Sequence, residues 1–179
     1  VLRVSAPKTP IVAADVLAEL DALYDFAYRL ARNTSEAEDL VQDTFARAMA
    51  AREQFRPGSN LKAWLFRILR NAYVDGVRRA RRAPGRNFEP TDDEPADDNG
   101  GELLRGDIEI ERLRRVVAGD IEAALMQLSE EARTVVLLDL EGFTEAEIGE
   151  VMGTPAGTVK SRLSRARARL RLLLAEYAP

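Results

Sequence analysis

"TEAEIGEVMGTPAGTVKSRLSRARARL", Thr144 to Leu170, holds two helices and the turn between them. Thr144-Glu145-Ala146-Glu147 has the layout of a capping box. In that layout the threonine oxygen accepts an early backbone N–H, and the glutamate three residues on reaches back to the threonine N–H. The box opens a short helix, Glu145–Met152, that turns Ile148 and Val151 inward. Gly153 supplies the left-handed residue of a tight turn, a conformation that a β-carbon disfavours. Thr154 is expected to cap a second helix with Pro155 in its first turn, where a missing N–H costs nothing. A short helix, a glycine turn and a capped helix make a helix-turn-helix.

Projection of the second helix at about 100° per residue sorts its side chains. Val159, Leu163, Ala166, Leu170 and Leu173 fall in one narrow sector, the expected core seam. Lys160, Arg167 and Arg171 flank it on one rim, and Arg162 and Arg169 on the other. Ser161, Ser164, Arg165 and Ala168 lie opposite the seam. Small polar residues among arginines suit a helix that enters a major groove, where arginine reaches guanine edges or phosphates. A solvated bundle helix would mix in glutamates at i,i+4. From Gly153 to Leu174 there is no acidic residue.

The rest of the chain sharpens this reading. Its 179 residues carry a formal net charge of −4, unevenly spread. Lys62–Arg86 is strongly basic, with "RRARR" at Arg78–Arg82; Glu89–Glu111 is strongly acidic, with "EPTDDEPADDNGGE"; Lys160–Arg171 is purely basic. Two basic patches in a mildly acidic chain suggest polyanion binding. There is no Cys and no His, which removes disulfides, thiolate metal sites, cysteine nucleophiles and the commonest general base. No phosphate-cradling glycine loop is present either, so the reading is a binding protein: not an enzyme, with no cofactor, no metal and no small-molecule substrate. No apolar run approaches the ~18 residues of a membrane span, and "VLRVSAPKTPIVAAD" lacks a signal-peptide layout. The expectation is a cytoplasmic protein without membrane insertion.

The expected fold is all-α: two small helical domains joined by a flexible acidic linker, the C-terminal one containing the helix-turn-helix. After an N-terminal extension, 1–13, the first domain covers 14–82. Asp15–Ala31 carries an apolar stripe of Leu20, Leu23, Ala27 and Leu30. Ser35-Glu36-Ala37-Glu38 matches a capping box for a helix that buries Leu40, Val41, Phe45, Ala48 and Met49. "FRPGSN", Phe55–Asn60, is a loop, and Ser59 or Asn60 caps the helix Leu61–Arg82, with Leu65, Ile68, Leu69 and Ala72 inward. Residues 83–107 are rich in Pro, Gly and Asp and too poor in large apolar groups to offset the entropy of ordering. Their ~24 residues would span roughly 25–30 Å as a flexible tether. The second domain, 108–179, adds a Ser129-capped segment with Val135, Val136, Leu138 and Leu140 in its core and Gly142 at its end.

These blocks resemble bacterial sigma factors. "GTPAGTVKSRLSRARARL" after "LEGFTEAEIGEVM" is similar to their fourth conserved region. "EAEDLVQDTFARAM" followed by "FRPGSNLKAWLFRILRNAYVDGVRR" is similar to the second. With no first or third region, the resemblance is to the compact extracytoplasmic-function (ECF) group of the sigma-70 family. It covers about Ala14–Arg82 and Ile108–Tyr177.

The resemblance implies a factor that binds core RNA polymerase and promoter DNA, recognising −35 duplex and a melted −10 strand. By it, the acidic-polar ridge Asp39, Gln42 and Asp43 docks the coiled-coil clamp of the polymerase. The loop residues Arg56, Ser59 and Asn60 would capture a flipped base, with Lys62, Trp64, Arg67, Asn71 and Arg78 along the strand. Trp64 is ambiguous, since a lone tryptophan on an apolar helix is commonly core. Thr158, Lys160, Ser161, Arg162 and Arg165 would face the −35 duplex. An anti-sigma factor is implied as inhibitor, covering the docking ridge and the recognition helix. The acidic run Asp92, Asp93, Asp97 and Asp98 would thread a basic polymerase channel or shield the basic helices. The competing readings are a sigma-like decoy that binds an anti-sigma factor without promoting transcription, and an ordinary operator-binding regulator. The second leaves the N-terminal block unexplained.

Overall fold

A computed structural model describes residues 13–56, 58–82 and 105–177, with side chains from Arg114 onward in the last stretch. Every regular element among the described residues is helical: α1 (Ala13–Leu17), α2 (Leu20–Ala31), α3 (Thr34–Ala50), α4 (Leu61–Arg82), α5 (Arg105–Met126), α6 (Glu130–Leu140), α7 (Glu145–Met152) and α8 (Ala156–Leu173). Short 3₁₀ turns follow α3 and α8, at Arg52–Gln54 and Ala175–Tyr177. The chain divides into two compact units, the first holding α1–α4 and the second α5, α6, α8 and the first part of α7. The Asp92, Asp93, Asp97 and Asp98 run and most of the 83–107 stretch lie outside the described residues; α5 begins within that stretch, at Arg105.

In the first unit α2, α3 and α4 pack on one another around Leu23, Phe26, Leu30, Leu65, Phe66 and Leu69. The Phe26 and Phe66 rings meet at 4.9 Å, tilted by 45°, the oblique geometry that aromatic quadrupoles favour. The Tyr73 hydroxyl donates to the Leu30 carbonyl at 3.3 Å in the buried core, tying α4 to α2. The single helix expected over Asp15–Ala31 is instead broken at Ala18–Glu19. The break lets Val16 bury itself on α1, which packs on α3, while Leu20 stays 38% exposed.

The start of α3 also differs from expectation. Ser35 lies inside the helix; the cap is Asn33, whose side-chain oxygen accepts from the Glu36 N–H at 2.9 Å. The reversal between α2 and α3 is made by Arg32, left-handed at φ 56°, and Asn33, extended at φ −149°. Only an extended residue can aim its side chain at the free N–H groups, and Ser35 is already helical. Leu40, Phe45 and Met49 are half-buried, whereas Ala37, Thr44 and Ala48 face the core. Asn60 caps α4, accepting from the Ala63 N–H at 3.1 Å.

In the second unit Ser129 caps α6 through the Ala132 N–H, at 3.3 Å. Helix α6 ends in a Schellman turn: Phe143 N–H reaches the Leu138 carbonyl at 3.2 Å, Gly142 N–H reaches Asp139 at 3.1 Å, and Gly142 has φ 85°. Leu140, expected in the core, is 63% exposed. The core positions are filled by Val135, Val136, Leu137 and Leu138 and, past the turn, by Phe143.

Candidate functional site

The helix-turn-helix is closed by paired hydrogen bonds. Glu147 Oε2 accepts from the Thr144 N–H at 2.9 Å and from its hydroxyl at 2.8 Å; the Glu147 N–H returns to Thr144 Oγ1 at 3.3 Å. Gly153, at φ 64°, makes the turn. Thr154 does not cap α8 as expected: its N–H closes the turn on the Gly149 carbonyl at 2.9 Å, and the extended residue before the helix is Pro155. Close approach at that point requires Gly149, where a β-carbon would lie 2.8 Å from the Thr154 carbonyl oxygen.

Helix α8 then presents its side chains unequally. Val159, Leu163 and Ala166 are buried, with Leu170 and Leu173 half-buried, as the seam requires. Lys160, Ser161, Ser164 and Arg165 are exposed, and Thr158 is half-exposed. The Ser161 hydroxyl donates to the Thr158 carbonyl at 2.9 Å. Arg165 Nε donates to the Ser161 carbonyl at 3.2 Å, a bond that does not use the terminal amino edge of this exposed guanidinium. That edge matches the O6 and N7 acceptors of guanine in the major groove. Two other arginines are tied to α6: Arg162 Nη2 lies 2.7 Å from Glu131 Oε2, and Arg167 Nη2 lies 2.6 Å from Asp139 Oδ2. Glu131 and Asp139, which pair with α8, and Gly149, which admits the turn, are positions that sequence reading missed. All three depend on which helices meet, which helical periodicity does not report.

The first unit carries the other two groups. Asp39 and Gln42 are exposed on α3. Asp43 is half-exposed and grips Arg47 with both oxygens, at 2.9 and 2.8 Å. That hydrogen bond raises the Arg47 pKa further, outweighing slight desolvation. On α4, Trp64, Arg67, Asn71 and Arg78 fall in one stripe, within about 60° at helical pitch, next to the loop. Arg67, Asn71 and Arg78 are exposed; Arg70 Nη1 reaches the Asn71 side-chain oxygen at 3.4 Å. Trp64 is half-buried and packs edge-on against Phe55, the centroids 5.4 Å apart. Lys62 stands apart from the stripe, its ammonium 5.5 Å from the centre of the Phe66 ring. In the loop, Arg56 is exposed, the Ser59 hydroxyl donates to the Arg56 carbonyl at 2.6 Å, and Asn60 is spent on its cap.

Comparison with known proteins bears on both units. The family model described as Sigma-70 region 2 matches residues 16–83, and that described as Sigma-70, region 4 matches 118–170. The ECF RNA polymerase sigma factor EcfG of Rhodopseudomonas palustris is 36% identical over 94% of this chain and 87% of its own length. The chain belongs to the ECF sigma factors. SigE of Mycolicibacterium smegmatis is 39% identical over 88% of this chain, which spans 59% of that relative. Among solved structures, the sigma factor RpoE in complex with the anti-sigma factor NepR from Bartonella quintana matches with a TM-score of 0.71. The match has 36% identity over 90% of this chain and 95% of RpoE. CnrH in complex with the cytosolic domain of CnrY gives a TM-score of 0.62 at 26% identity, over 92% and 88% of the two chains. No group of acidic side chains among the described residues could hold a metal ion, and no described helix of this sigma factor is long and apolar enough to cross a membrane.

Proposed function

We propose that this ECF sigma factor binds core RNA polymerase through Asp39, Gln42 and Asp43 and directs initiation at promoters it reads with two separate surfaces. Helix α8 lies in the major groove of the −35 duplex, with Thr158, Ser161 and Arg165 toward the base edges and Lys160 toward the phosphates. Arg162 holds the helix against α6. On α4, Trp64, Arg67, Asn71 and Arg78 hold the melted −10 strand, and the Arg56–Asn60 loop receives an extruded base. Lys62 lies at the start of the same helix. The observation that carries this reading is α8 itself. Its exposed side is small and cationic, and its one long central side chain, Arg165, is oriented by the Ser161 carbonyl. An anti-sigma factor covering the same surfaces is the proposed inhibitor, by likeness to the sigma factor RpoE, which was solved with one. The site of action is the cytoplasm.

Run-off transcription with core polymerase over a randomised promoter library tests the whole reading: discrete start sites preceded by two conserved elements are expected. Asp43→Arg should abolish co-purification with core polymerase. It exchanges an exposed i,i+4 attraction for a like-charge pair with Arg47, each worth about a few tenths of a kcal/mol, so the thermal midpoint should fall only slightly. Normal co-purification of the variant contradicts the docking assignment.

A further inference from the structure

Gly76 stands in the interior of α4, a position where glycine is disfavoured because it loses the most conformational freedom on folding. Neither usual reason for a glycine applies. Its φ is not positive, and a β-carbon built on it meets nothing within 4 Å. At Gly149, by contrast, neighbouring backbone forbids a side chain. Gly76 instead lines an open groove of about 270 Å³ between α3 and α4. The floor of the groove is apolar: Leu40, Ala72, Tyr73 and Val77. Its lining also includes Glu36, Asp39 and Asp43, the last paired with Arg47, and Arg79. Asp39 and Asp43 therefore belong both to the docking ridge and to the groove.

We infer that the groove is a socket for one apolar side chain of a basic helix on core RNA polymerase. This rests on the docking reading of Asp39, Gln42 and Asp43 and adds what the ridge alone does not require. The partner helix inserts an aliphatic or aromatic side chain over Gly76, while arginines or lysines one turn to either side meet the lining carboxylates. Charge complementarity sets the sign of the partner, and the apolar floor sets the character of the inserted group. An open groove of about 270 Å³ has room for one side chain. A β-carbon at residue 76 would narrow the socket, and glycine keeps it open.

Full-length Gly76→Leu fills the groove and leaves every ridge residue unsubstituted. Its affinity for core polymerase, its thermal midpoint and its affinity for −35 duplex are measured beside Gly76→Ala and Asp39→Arg. Gly76→Leu should weaken polymerase binding at least tenfold, keep the midpoint at or above the parent's, and leave duplex binding within twofold. Gly76→Ala should raise the midpoint and weaken polymerase binding a few-fold. Asp39→Arg should lose at least tenfold in polymerase affinity. Full affinity in Gly76→Leu with loss in Asp39→Arg overturns the socket and keeps the ridge. Full affinity in both overturns the ridge reading and the socket with it. Loss in Gly76→Leu alone overturns the assignment of a basic partner. Should Gly76→Leu lower the midpoint, Gly76→Ala decides, and undiminished binding there overturns the socket.

Discussion

Arg162 and Arg165 sit one turn apart on α8 and are committed differently by their neighbours. Arg162 is only 21% exposed at its side chain and is held by Glu131 from α6. A guanidinium so engaged is a strut, and its aliphatic stem adds packing. Arg165 is exposed; its Nε rests on a backbone carbonyl of its own helix, a bond that does not use the amino edge. The two substitutions should therefore separate. Arg165→Ala is expected to weaken binding to the −35 duplex by ~1–3 kcal/mol and to relax the base preference at one position. Arg162→Ala is expected to leave that preference intact and to lower the thermal midpoint by a few degrees. Band-shift competition against single-base variants of the −35 site, beside thermal melts of both variants, reads the distinction. A change of base preference in Arg162→Ala would return that residue to the DNA-facing set.

At the scale of the element, the helix-turn-helix depends on Gly149 as much as on the visible turn glycine. Gly153 adopts φ 64°, but Gly149 is the point where α7 accepts the incoming chain, with Thr154 N–H on its carbonyl and no room for a β-carbon. Gly149→Ala should force the turn apart and destabilise the second unit by ~1–3 kcal/mol, the ordinary cost of overpacking. Loss of −35 binding should accompany the lowered melting midpoint, and an unchanged midpoint would show that the turn relaxes freely. The contrast between the two glycines explains what the sequence made legible. Caps, turn glycines and apolar stripes are local, so the Thr144 box, the Ser129 cap, the Gly142 turn and the limits of α4 could be read from the residues alone. The α3 cap falls two residues before the expected Ser35, because the choice between Asn33 and Ser35 depends on where α2 ends, at the left-handed Arg32. Leu140 fits the apolar pattern but stays in solvent, because Phe143 comes into the core after the turn. The candidate site follows the same rule. The α4 stripe follows from helical pitch, whereas the Glu131 pair, the Phe55–Trp64 contact and the groove at Gly76 exist only once helices have met.

For the molecule as a whole, the missing residue types restrict how its activity can be set. With no His and no Cys, no side-chain type in this chain has an ordinary pKa between that of the carboxylates and about 8.5. Oxidation of thiols is likewise closed to it. Among the described residues, Tyr177 and Arg47 have pKa values moved by the fold, and both lie outside the neutral range. The Tyr177 phenol donates to Asp120, which raises its pKa above the usual 10.0, and Asp43 raises that of Arg47. For both, the raised folded value favours the protonated form. Their stabilisation is thus complete at neutral pH and is lost only as pH climbs from the ordinary value through the raised one. Carboxylates act at the other end, below about pH 5. The thermal midpoint and the affinity for −35 duplex are therefore expected to stay level from pH 6 to pH 8.5, and to be indifferent to thiol-specific oxidants and to zinc chelation. A fluorescence-monitored melt and a duplex titration across that range check it. A step in either curve near neutrality would place a proton sensor within this chain, whereas a level profile excludes titration of this chain as a pH sensor in that range.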